Sequence, residues 1–124
     1  MTPTDIATSF LKDVTDGNIT EAYDKYIDTS GQHHNLTTPA GMAALKHGMA
    51  EADRQFKQMT YTVKFTIEDK DLVAVYGLLT MKTEKATLQM ATVHTCRIKN
   101  QRIVELWDSA QQVPDPPVNT DGAY

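Results

Sequence analysis

The hydrophobic repeat of this chain changes period once, at Met59, and that change confines it to a helices-then-sheet layout. Before it, apolar residues recur at helical spacing. Ile6, Phe10, Leu11 and Val14 share one face of a first helix, which Thr2-Pro3 starts and Gly17 ends. Asn18 to Glu21 has capping-box spacing for a second helix, with Ala22, Tyr23, Tyr26 and Ile27 as its apolar set. Residues 28–38 form a polar connection with turn chemistry. Thr38-Pro39 repeats the helix-start signal, and Met42, Leu45, Met49, Ala52 and Phe56 define a long third helix packed as core.

After Met59 the alternation is that of strands. The expected strands are Thr60 to Glu68, Leu72 to Met81, Ala86 to Ile98, and a fourth within Arg102 to Pro114. Asp69-Lys70-Asp71, Thr83-Glu84-Lys85 and Lys99-Asn100-Gln101 are short turns between them, as in an antiparallel meander. The layout is α+β: three N-terminal helices packed on a strongly curved antiparallel sheet of about four to six strands, leaving a cone-shaped hollow. Residues 1–114 read as one domain, and 115–124 as an extended Pro-rich tail.

The 124 residues, 40% of them hydrophobic, suffice for a core without disulfide or metal staples. Net charge is −4 with both signs mixed, so no basic stripe points to nucleic acid. The single cysteine, Cys96, lies in an apolar run and reads as a reduced, buried thiol. No apolar run is long enough to span a bilayer, and the first residues lack the apolar stretch of a signal peptide. Asn18-Ile19-Thr20 and Asn35-Leu36-Thr37 match the glycosylation triplet by chance on this reading, and the expected setting is cytoplasmic.

Candidate chemistry gathers in the last two strands. Arg97 belongs in solvent, which turns His94 inward with Met90, Thr92 and Cys96. An inward imidazole needs a partner, and one near neutral pH can carry a proton. In Arg102-Ile103-Val104-Glu105-Leu106-Trp107-Asp108, alternation sets Ile103, Glu105 and Trp107 on one face and Val104, Leu106 and Asp108 on the other. Either acid, desolvated beside Trp107, would have a raised pKa suited to general-base work; paired with Arg97 or Arg102 on the surface it would do little. Only one acid can share the face of Trp107 unless a bulge intervenes. His33 and His34 sit in the polar connection, and no Cys or acidic cluster completes a ligand set, so no metal is expected. Phosphate loops, nucleophile elbows and zinc-protease motifs are absent from the sequence, so no cofactor is expected either.

The order of elements and three local stretches resemble the SnoaL-like, polyketide-cyclase-like group of the nuclear-transport-factor-2-like superfamily. Gln32-His33-His34-Asn35 resembles its Gln-His-Asn stretch. Glu68 to Val75 resembles its acidic-Gly-Asp-Leu-Val-x-Val turn and strand. Arg102 to Asp108, with Gln111 and Pro114, resembles its Gly-Lys-Ile-Val-Glu-His-Trp-Asp-x-x-Gln-x-x-Pro signature. The tail Asn119 to Tyr124 resembles the aromatic-ended tail of one subgroup. The resemblance implies a cavity between long helix and sheet, often a sheet-to-sheet dimer, and His34, His94 and Trp107 at or near that cavity. It also implies that the acid/base of the cyclases, an Asp four residues after the motif Trp, is replaced here by Gln111. An amide can hold a carbonyl oxygen but cannot take a proton from carbon. Leu106 replaces the motif His.

Two functions follow as expectations. One is an isomerase, lyase or cyclase acting by proton transfer on a small carbonyl-containing or amphipathic molecule. His34 or His94 would move the proton, Asp108 or Glu105 would tune it and Gln111 would orient a carbonyl, with Tyr23, Tyr26, Met49, Met90, Glu105 and Trp107 contacting the ligand. The other is a non-catalytic binding or dimerisation module. Homodimerisation is expected through a sheet face bearing Leu79, Met81 and Val93.

Overall fold

Thr2 opens the first helix, α1 (Pro3–Thr15), with a complete capping box. Its hydroxyl accepts from the Asp5 N–H at 3.1 Å, and the Asp5 carboxylate accepts from the Thr2 N–H at 3.0 Å. The helix buries Ile6, Ala7, Phe10 and Leu11, the face its spacing implied. A computed structural model describes residues 1–56 and 58–124.

Helix α2 (Ile19–Tyr26) follows, but Asn18 makes no side-chain cap bond, so the capping-box expectation fails at that residue. Ala22, Tyr23 and Tyr26 are buried as the pattern required. The chain then enters a strand, β1 (Ile27–His33), where the sequence reading put a polar connection. That strand is polar because only its ends, Ile27 and His33, are buried. Helix α3 (Met42–Gln55) begins at Gly41, with φ +98°, and not at Thr38. The Thr38 hydroxyl is used elsewhere, donating to Asn35 Oδ1 at 2.8 Å.

Four long strands complete the chain: β2 (Gln58–Asp69), β3 (Leu72–Lys82), β4 (Thr87–Lys99) and β5 (Arg102–Gln112). With β1 they make a five-stranded sheet in the order β1-β5-β4-β3-β2. The meander is antiparallel as expected, whereas β1 adds parallel to β5. Lys70 (φ 57°) supplies the left-handed residue of the first turn, and Asn100 (φ 53°) with Gln101 (φ 65°) supply two for the last. Bulges interrupt β2 between Val63 and Phe65, and β5 opposite Arg97 and Ile98. Such insertions bend and twist a sheet, and this one curves around the helices.

The inner face of the sheet carries Val73, Val75, Cys96, Ile98, Ile103 and Leu106, all buried against residues from α1 and α2. Glu68 on β2 ties α1 down from its start, accepting from the Thr4 N–H at 3.0 Å and hydroxyl at 2.6 Å. Cys96 is fully buried, and burial pushes its thiol up to about 12, so it stays protonated and inert. Leu79 and Val93 fall on opposite faces, because Leu79 pairs with Met90 while Val93 pairs with Tyr76. The single apolar face imagined for Leu79, Met81 and Val93 therefore does not exist. After β5 the chain does not fray at once: the Val113 N–H donates to Gln89 O at 2.9 Å, and the terminal Tyr124 hydroxyl donates to Gly77 O.

Candidate functional site

The β5 bulge decides which side chains can meet. Arg97 pairs with Glu105, and Ile98 with Ile103, so Val104 is the extra residue. Ile103 and Leu106 both point into the core, at 0% and 1% exposure, although they are three apart. Past the bulge, alternation sends Glu105 and Trp107 outward and Asp108 inward. The same alternation continues off the end of β1. His33 faces inward, its Nε2–H donating to Pro39 O at 2.8 Å while its Nδ1 accepts from the Asn35 N–H at 3.2 Å. Those partners set a neutral tautomer and give His33 a structural role. His34 faces out, and Asn35 faces in.

On the inner side, one end of the cone is an open-mouthed hollow of about 530 Å³. Asn35, Leu36 and Thr37 line it from the loop after β1, and Leu79 from β3. Met90, Thr92 and His94 line it from β4, and Asp108, Ser109 and Ala110 from β5. His94 and Asp108 are direct cross-strand partners. The Asn35 amide donates to both oxygens of Asp108, at 3.2 and 3.0 Å. Asn35 Oδ1 meanwhile accepts from the Thr37 N–H, the Thr37 hydroxyl and the Thr38 hydroxyl. One side chain thus ties the loop together and fixes the carboxylate.

His94 Nδ1 is enclosed and has no hydrogen-bond partner among the described residues. Burial holds the imidazole below its ordinary pKa, with the charge of Asp108 acting in the opposite direction. The ring is therefore neutral at pH 7 and free to accept a proton. Tyr61 packs edge-on against it, with ring centroids 6.1 Å apart, and its enclosed hydroxyl is also unpartnered. Burial raises the Tyr61 phenol, so it remains an O–H donor.

Across the sheet lies a second cluster. His34 Nε2 meets Glu105 Oε2 at 2.7 Å, and the ring stacks on Trp107 with centroids 5.1 Å apart and an 18° tilt. Arg97 donates to Glu105 at 3.3 Å and to Asp71 at 3.0 Å, with its guanidinium 5.8 Å from the Trp107 ring centre. The hydrogen bond from His34, then that from Arg97, holds the Glu105 carboxyl below its usual range. This is the reverse of the desolvated, raised acid considered beside Trp107.

The anticipated site residues therefore divide. His94, Asp108 and Met90 meet in the hollow. His34, Glu105 and Trp107 sit together on the opposite face. Gln111 pairs with Ala91, is exposed, and lines a separate cavity of about 340 Å³ under the C-terminal tail. Tyr23 and Tyr26 are core residues of the helices and Met49 packs half-buried against them; the Tyr23 hydroxyl donates to the Met49 sulfur at 3.2 Å. Sequence reasoning missed Asn35 as the partner of Asp108, although it stands in a quoted motif, because the contact joins residues 73 positions apart. Among the described residues, no group of three His, Cys, Asp or Glu side chains could hold a metal ion.

The sequence matches no established protein-family model and no curated protein. Solved structures do match. Wild-type IdmH from Streptomyces antibioticus, a provisional polyketide cyclase, is 18% identical with a TM-score of 0.75, covering 90% of this chain and 93% of its own. A provisional SnoaL-like polyketide cyclase from Shewanella putrefaciens is 13% identical with a TM-score of 0.72, over 87% of this chain and 88% of its own. A protein with a ketosteroid isomerase-like fold from Catenulispora acidiphila is 13% identical with a TM-score of 0.72, over 85% and 84%. The chain has the α+β fold of these SnoaL-like and ketosteroid isomerase-like proteins, the fold its sequence resemblance implied.

Proposed function

We propose that the hollow binds a small carbonyl-containing molecule and that His94 removes or returns a proton on a carbon beside the carbonyl. One observation carries this reading: a neutral imidazole that lines the hollow stands opposite a carboxylate that Asn35 holds in place. In the step, the C–H bond breaks, its proton goes to His94, and its electron pair moves to the carbonyl oxygen. Asp108 stabilises the imidazolium that forms, and the return of the proton restores the ring. That the fold is shared with polyketide cyclases supports the substrate class without fixing it.

The experiment follows deuterium exchange from solvent into ethyl acetoacetate and 4-phenyl-2-butanone by NMR. Protein-dependent exchange is expected, and His94→Gln should slow it by about 100-fold or more. Exchange no faster than in buffer, or undiminished in the variant, would sink the proton-transfer step.

Gln111 supports a second reading, a non-catalytic binding module, because the position that carries the cyclase acid/base in the resemblance is here an exposed amide. Binding of either ketone without exchange would favour it.

Residues 1–114 act as one unit with 115–124 appended. Two copies pair through the outer face, where Phe65 and Ile67 are 45% and 56% exposed and Phe65 stacks on Tyr76. Light scattering at micromolar concentration tests this, and a monomeric mass would count against it. No helix among the described residues is long and apolar enough to cross a membrane. The lone unpaired cysteine supports a reducing, cytoplasmic setting.

A further inference from the structure

The hollow carries one sign of charge. Asp108 is its only acid, and no Lys or Arg among the described residues lines it. Arg97, on the same strand as His94, is on the other face, held by Asp71 and Glu105. Three of the neutral donors that line it are turned to the protein: the Asn35 amide to Asp108, the Thr37 hydroxyl to Asn35 Oδ1, and the Thr92 hydroxyl to Gly77 O at 3.3 Å. Leu79 and Met90 form an apolar wall, and Leu36 stands at the mouth fully exposed.

We infer that the hollow selects against anions: it takes an uncharged carbonyl compound with an apolar arm, an ester or ketone, and rejects the corresponding carboxylate. This rests on the reading of the hollow as the ligand site, and it adds the charge of the substrate to it. A carboxylate beside the reacting carbonyl would share a partly desolvated space with Asp108 and find no counter-charge. Like-charge juxtaposition of that kind is a strong discriminator between otherwise identical ligands. The apolar arm lies along Leu79 and Met90, with Leu36 placed to cover it at the mouth.

Calorimetry on the full chain with methyl 2-oxo-4-phenylbutanoate and the free 2-oxo-4-phenylbutanoate tests this. The ester is expected to bind at least about tenfold more tightly than the acid. Asp108→Asn should narrow that gap, and Ala110→Lys, at an exposed rim position that leaves the core untouched, should narrow it independently. A gap under threefold, or one that neither variant changes, would overturn the inference. Absence of binding by both compounds would remove the hollow as a ligand site and the inference with it. Ester-selective binding without proton exchange leaves charge selection standing and sinks only the catalytic step.

Discussion

His94 on β4 and Asp108 on β5 stand directly opposite one another on the inner face of the sheet. Each is common enough alone. Their pairing matters because burial keeps the imidazole neutral while the carboxylate opposite favours its protonated form. A base that must accept a proton briefly and return it needs both conditions.

That pairing makes stability depend on pH. In the unfolded chain His94 takes up a proton near its ordinary value of 6.5, whereas the folded value is lower. Between the two, the unfolded state binds more protons, so stability rises with pH and levels off above that value. Urea denaturation is expected to show an unfolding free energy that falls as pH drops from 7 toward 5, by up to about 1.4 kcal/mol per pH unit. His94→Gln should flatten that limb. Glu105, whose folded pKa is lowered, acts in a more acidic window, where its contribution is lost as pH falls through that folded value.

Asn35 should be worth more than a surface amide. Asn35→Ala removes the donors to Asp108 and the acceptor for Thr37 and Thr38. The expected cost is about 1–3 kcal/mol, mostly from the carboxylate left without its donors. Hydrogen exchange of the amides in residues 35–41 should accelerate in this variant far more than exchange in β3 and β4. Uniform acceleration would mean a global effect.

Two glycines stand where a methyl group would collide with a neighbour. A Cβ at Gly77 would lie 2.3 Å from the Tyr61 hydroxyl, and one at Gly31 would lie 2.4 Å from Val104 O. Gly77→Ala should cost about 1–3 kcal/mol, and Tyr61→Leu in the same chain should recover part of it. A double-mutant cycle by urea melts measures that coupling. Gly31→Ala has no such remedy, because its obstacle is backbone at the β5 bulge, and it should detach β1.

Trp107 should report on the outer face and stay silent about the hollow. His34→Ala removes the ring stacked on it and should shift its emission to longer wavelength. Ligand binding, followed in parallel by calorimetry, should leave that emission nearly unchanged. A large shift on ligand addition would contradict the outward placement of the ring.

Residues 58–112 disclose their strands because alternation and turn chemistry are local properties: Lys70, Asn100 and Gln101 bend the chain whatever lies beyond them. The face of α1 is equally legible, since Ile6, Phe10 and Leu11 fall together on a helix of period 3.6. The pairing of β1 is not. Its seven residues are mostly polar, and they become a strand only because β5, some 75 positions later, offers an edge. The faces of β5 are not legible either. Strict alternation would place Ile103 with Trp107, and only the inserted Val104 separates them.

The sequence by itself therefore determined the order of the three helices and of the four meander strands, the position of most turns, the inward aim of His94 and the departure at Gln111. Tertiary structure decided which of the candidate groups share a space. One bulge turned Glu105 and Trp107 away from the hollow and left Asp108 facing His94, because a single added residue reverses every side chain that follows it.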